Sequence, residues 1–162
     1  METGISSPFA SALERIQQSA ASASSSQGLQ QEVVTTISAR LRYYDWVGFY
    51  MLDDADPGVL VLGPFAGEPT PHVRIPVAQG ICGAAVAARS TIVVDDVLAD
   101  PRYLSCSINT RSEIVAPILV SGQVVGEIDV DSHTAAAFTS ADREFLEEVA
   151  RMVGGYIAAR PP

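Results

Sequence analysis

The run EIVAPILVSGQVVGEIDVDS, residues 113–132, constrains this chain more than any other stretch. Two apolar segments of strand length flank Ser121-Gly122, which reads as a tight hairpin turn. The second segment ends in acids at alternate positions. Asp129 and Asp131 lie two apart, so on a strand both point to one face. Asp is disfavoured in strands, and neighbouring carboxylates repel unless cations or shared protons relieve them. Such a pair suits a pocket better than a solvated edge. Glu127 falls on the same face and is expected nearer solvent. Glu113, at the start of the first segment, reads either as a boundary residue or as another pocket carboxylate.

Around this hairpin the chain reads as an α+β domain. Residues 8–20 carry a helical stripe of Phe9, Leu13, Ile16 and Ala20. The Ser/Ala/Gln-rich stretch SAASASSSQG then reads as a flexible connector. These divide the chain into an N-terminal helix and linker, 1–27, and a folded domain, 28–160. Leu29, Val33, Ile37 and Leu41 recur every four residues, the mark of an amphipathic helix. WVGFYML (46–52) and VLVLGPF (59–65), separated by DDADPG, form a hairpin. HVRIPV (72–77) is a short strand, and Pro76 places it at an edge or an end. Gly80 and Gly83 bracket Cys82 in a turn entering a short helix, and TIVVDDV (91–97) follows as a strand. Thr139 and Asp142 have the spacing of a capping box that opens a final helix. The tally is about six strands in an antiparallel sheet, with helices packed on its faces.

At 162 residues there is room for one domain with a proper core. A net charge of −9 argues against nucleic acid or an anionic membrane surface, where phosphates demand Lys and Arg. No stretch reaches the roughly 18 apolar residues of a membrane span, and METGISSPFA lacks the pattern of a secretory signal. A cytoplasmic location follows as the expectation, with thiols reduced at rest. Two cysteines and two distant histidines, His72 and His133, lack the ligand spacing of a structural zinc site.

The two thiols are the candidate reactive groups. Cys82 lies at the expected helix start, where backbone N–H groups can stabilise a thiolate. Cys106 lies in the polar loop LADPRYLSCSINTRS, the usual home of reactive groups. A thiolate is a nucleophile, and reducing an oxidised sulfur also needs a proton donor, which a carboxyl group can be. Trp46 and Tyr50 share a strand face; they read as core or as an apolar pocket wall with polar handles. Sulfur redox chemistry on a small molecule fits this set.

GICGAAVAARSTIVVDDVLADPRY resembles the central block of GAF domains. WVGFY (46–50), LGPF (62–65), VRIP (73–76), GICG (80–83), SEIVAP (112–117) and DVDS (129–132) together resemble the free methionine-(R)-sulfoxide reductases, a GAF family. The resemblance covers roughly residues 30–158. It implies a GAF-like fold and reduction of free methionine-(R)-sulfoxide to methionine. Cys106 would attack the sulfoxide sulfur and become a sulfenic acid, and Cys82 would take part in the redox cycle. Trp46 and Tyr50 would wall the sulfoxide end, while Glu113, Asp129 and Asp131 would hold the amino-acid head and assist proton transfer. No bound metal or organic cofactor is required; thioredoxin, reduced by NADPH, would supply electrons.

One position departs from the family. Many members carry a further cysteine just before VRIP, and here it is His72. A disulfide from that position to Cys106 cannot form, so either Cys82 or an external thiol resolves the sulfenic acid. The oligomeric state is open, a homodimer included. The rival reading is a non-catalytic GAF sensor of a small ligand or of redox state. Sensors are usually joined to an output domain, whereas this chain runs to Arg160-Pro161-Pro162 straight after its last helix.

Overall fold

The computed structural model describes residues 7–105 and 107–160. Six strands form one antiparallel sheet. At its centre lie β1 (Trp46–Leu52) and β6 (Gln123–Ser132), with β5 (Ser112–Val120) beyond β6. On the other side of β1 come β2 (Val59–Ala66) and the edge strand β3 (Arg74–Pro76). The opposite edge is β4 (Ile92–Val94). Pro76, which has no N–H to give a ladder, sits on an edge strand as expected. Ser121 and Gly122 both have positive φ, 52° and 75°. Such a turn matches the right-handed twist of the strands it joins.

Strand alternation divides the core in two. Val47, Phe49, Ile114, Ala116, Ile118, Ile128 and Val130 face one way and pack against three helices. These are α1 (Pro8–Ser22), α2 (Ser26–Arg40) and, after the short helix at Gly80–Ala88, α4 (Ser140–Ala158). The opposite face carries Trp46, Tyr50 and Val115, covered by Ile81, Cys82 and Ala85 of α3 (Gly80–Ala88).

The Ser/Ala/Gln-rich stretch is not a flexible connector. It is helical up to Ser22 and again from Ser26, with three residues between. Ser25 caps α2 by accepting the Gly28 N–H at 3.0 Å, so a serine that reads as linker acts as a helix start. Tyr156 of α4 donates to the Ala23 carbonyl at 2.8 Å and fixes the joint. At the start of α4, Asp142 accepts from the Thr139 N–H (2.8 Å), the Thr139 hydroxyl (3.0 Å) and the Tyr44 hydroxyl (2.8 Å). Tyr43 donates to the same carboxylate. A buried acid with a structural task is thus fully bonded, and the acids on the α3 face are not.

Candidate active site

The ladder register brings the acids together. On β6, Asp131, Asp129 and Glu127 face the same way, opposite Trp46, Gly48 and Tyr50 of β1. Across the other edge of β6, Glu113 of β5 pairs with Asp131. All four carboxyls are buried: Glu113 4% exposed, Glu127 0%, Asp129 2% and Asp131 2%. Glu127 therefore does not lie nearer solvent. It sits on a central strand beneath α3, and its own side chain is fully buried.

Little in the folded chain answers this charge. Both oxygens of Glu127, one of Asp129 and one of Asp131 are buried without a hydrogen-bond partner. All ten basic residues are arginines, and every one is exposed. Each acid of the wall is shifted towards its protonated form. Burial first, then the Asp129 and Asp131 charges, push Glu113 well above the usual carboxylate range. Burial does the same to Glu127, partly offset by the neighbouring Cys82 thiol, and burial followed by the Asp129 charge does so to Asp131. Asp129 is also raised by burial, partly offset by hydrogen bonds from Glu113 and Cys82. The wall is thereby biased towards carrying carboxylic acid protons.

Cys82 lies in the first turn of α3 and points onto this wall, its Sγ 3.5 Å from Asp129 Oδ2. It is not the stabilised thiolate that a helix start suggests. Burial, then the charges of Asp129, Glu127 and Glu113, push the thiol well above its usual range. Gly83 permits this placement, because a Cβ there would sit 2.5 Å from the Val77 carbonyl oxygen.

Trp46 and Tyr50 form an aromatic wall beside the acids, their ring centroids 6.2 Å apart and tilted by 30°. Phe65 stacks on Trp46 at 5.7 Å. Trp46 donates its indole N–H to the Glu68 carbonyl at 3.0 Å, and Tyr50 donates its hydroxyl to the His72 carbonyl at 2.7 Å. Both polar handles pin the segment between β2 and β3. Gly48 lets the indole lie flat over β1, since a Cβ there would meet its ring at 2.4 Å. Gly48→Ala is therefore expected to displace the indole, blue- or red-shift its fluorescence, and lower activity in parallel. An unchanged emission spectrum with unchanged activity would show that the indole position does not matter.

Cys106, the expected nucleophile, lies outside the described residues. Its neighbour Ser105 is described, and His72 Nε2 donates to the Ser105 carbonyl at 2.7 Å. The ring at the departing position thus ties the β2–β3 segment to the loop that carries Cys106.

The acids open onto two small cavities. The inner one, about 10 Å³, is lined by Cys82, Glu113, Asp129 and Leu104. The outer one, about 60 Å³, is lined by Trp46, Asp131, Glu68, Thr70 and Thr110. A wider groove, about 810 Å³, runs past Gln30, Met51, Arg74 and Arg160, and its described lining includes neither Cys82 nor a buried acid of the wall.

The GAF domain model matches residues 27–157. The free methionine-R-sulfoxide reductase of Escherichia coli is 40% identical over 110 residues, 68% of this chain and 64% of that protein's length. A structure of the free methionine-R-sulfoxide reductase of Neisseria meningitidis in complex with its substrate superposes with a TM-score of 0.86. It is 33% identical, over 91% of this chain and 87% of that one. The type II enzyme of Thermoplasma acidophilum is 37% identical with a TM-score of 0.77, covering 81% of this chain and 91% of its own. Among the described residues, no helix is long and apolar enough to cross a membrane. With this fold, this site and these likenesses together, the chain belongs to the GAF domain family and, within it, to the family of the free methionine-R-sulfoxide reductases.

Proposed function

We propose that this chain reduces free L-methionine-(R)-S-oxide to L-methionine in the cytoplasm, with Cys106 as nucleophile and thioredoxin as the source of electrons. The observation that carries the reading is the meeting of Glu113, Asp129 and Asp131 with Trp46 and Tyr50 on one sheet face, beside the Cys82 thiol. Buried acids without a protein cation suit the α-ammonium of a free amino acid, and a peptide-bound residue lacks that charge. The aromatic wall offers an apolar surface to the methyl-sulfoxide end. Leu104 lines the inner cavity beside Glu113 and Asp129.

In this reading the Cys106 thiolate attacks the sulfoxide sulfur, and a protonated carboxyl of the wall gives its proton to the departing oxygen. The attack forms a sulfur–sulfur bond, and the protonated oxygen then passes from the substrate sulfur to the Cys106 sulfur. The old sulfur–oxygen bond and the sulfur–sulfur bond break, methionine leaves, and Cys106 remains as a sulfenic acid. The carboxylate left behind can take the proton of Cys82, 3.5 Å from Asp129. The Cys82 sulfur then condenses with the sulfenic acid, releasing water and forming a disulfide. A thioredoxin dithiol reduces that disulfide and NADPH reduces thioredoxin. Glu127, buried beside Asp129 on the same face, is biased towards its protonated form in the same way.

The test is NADPH oxidation in the presence of thioredoxin and its reductase, with the R and S epimers of free methionine sulfoxide offered separately. Turnover of the R epimer alone is expected. Equal turnover of both epimers, or of neither, would overturn the reading.

A further inference from the structure

We propose that Cys82, Glu113 and Asp129 form a binding site for one thiophilic divalent cation of the Zn²⁺ type in the inner cavity of the acid wall. The three residues offer one sulfur and two carboxylate oxygens, all buried and all within 4.8 Å of one another. Cys82 Sγ and Asp129 Oδ2 are already 3.5 Å apart. A tetrahedral ion with sulfur at about 2.3 Å and oxygen at about 2.1 Å asks for ligand atoms roughly 3.5 Å apart. Closing the third ligand in takes a side-chain shift on the order of 1 Å.

A separate observation points to a cation at this place. Glu127, fully buried on the same face as Asp129, has both carboxylate oxygens without a hydrogen-bond partner. Its charge bears on the Cys82 thiol, so it lies beside the ligand set and can orient a ligand. No basic side chain competes, because every arginine is exposed and the chain has no lysine. The cavity, about 10 Å³, admits about one water-sized particle, the size class of a bare ion. Sulfur among the donors favours Zn²⁺, Co²⁺ or Cd²⁺ over Mg²⁺ or Ca²⁺, which gain nothing from a thiolate. The linear spacing 82, 113, 129 resembles no metal motif, so only the fold assembles the set.

Binding is a ligand-for-proton exchange with no redox step. The metal–sulfur and metal–oxygen bonds form as the thiol and carboxyl protons leave to solvent. The ion takes the place that the reductase reading gives to the α-ammonium, so it competes with substrate. Metal binding itself does not depend on that reading.

The reduced full chain, without substrate, is titrated with Co²⁺ and then Zn²⁺. One equivalent of Co²⁺ is expected to give a thiolate-to-cobalt charge-transfer band and tetrahedral visible bands, with proton release, bleached by equimolar Zn²⁺. Cys106→Ser keeps these bands and Cys82→Ser loses the charge-transfer band. Asp129→Asn and Glu127→Gln each weaken Zn²⁺ affinity by about 10-fold or more. No thiolate band, or one that survives Cys82→Ser and vanishes in Cys106→Ser, would overturn the proposal. So would undiminished affinity in both carboxylate variants, which keeps the test decisive if Cys82→Ser misfolds. In the active enzyme Zn²⁺ raises the KM for the sulfoxide, and an effect on kcat alone would place the ion elsewhere. A chain without reductase activity that still shows the Cys82-dependent band leaves the metal site standing.

Discussion

Replacing Cys106 by Ser is expected to abolish methionine formation even in a single turnover. A hydroxyl cannot replace the attacking sulfur, and loss of a nucleophile costs on the order of 10⁴-fold or more. Cys82→Ser is expected to behave differently. It should release about one methionine per chain and then stall or slow, because the sulfenic acid on Cys106 lacks its internal partner. Dimedone should label Cys106 in that variant, and dithiothreitol should restore turnover from outside. His72 offers no substitute route, since a ring nitrogen forms no disulfide. Quantifying methionine per chain by mass spectrometry, without added reductant, separates the two roles. A single-turnover Cys106→Ser beside a dead Cys82→Ser would exchange them.

Neutralising the acid wall should move activity and stability in opposite directions. Asp129→Asn and Asp131→Asn are each expected to lower kcat/KM about 10²-fold, through loss of the charge partner or the proton donor. Glu127→Gln should follow in the same direction. Each variant should also unfold at a higher temperature near pH 7. Every kcal/mol recovered raises Tm by about 2–4 °C in a chain of this size. The sign follows from the raised carboxyl ranges of the folded protein. An acid raised in the folded state takes up a proton on folding once the pH exceeds its unfolded range. Stability is therefore lost as pH climbs from about 4 towards the raised value. The amide variants escape that loss, so their advantage should be present at pH 7 and vanish near pH 4. Thermal melts across that window check it, and an advantage independent of pH would trace to repacking instead.

Alternation and turn chemistry made much of this fold legible. Ser121-Gly122 marked the hairpin because a two-residue turn there needs positive φ, which Gly122 adopts freely. The two-residue spacing of Asp129 and Asp131 placed them on one face, and the register did so. Depth was harder to read. Alternation assigns Glu127 a face, but only the sheet order and the roof of α3 show that its side chain is buried. The state of Cys82 failed for a similar reason. Its glycine neighbours signalled a helix start, while the acids that oppose ionisation come from positions 113, 127 and 129. At residues 19–28, serine fits linkers and N-caps alike. Tertiary packing of α1 against α2 and α4 decides between them.

The central claim, that buried acids select a free amino acid by its ammonium, is tested most directly by one ratio. Initial rates are compared for free methionine-(R)-sulfoxide and its N-acetyl derivative, which keeps the sulfoxide and removes the positive charge. The account predicts a kcat/KM at least about 10²-fold higher for the free amino acid, with the ratio collapsing in Asp131→Asn. Equal values for the two substrates in the unmodified protein would contradict it.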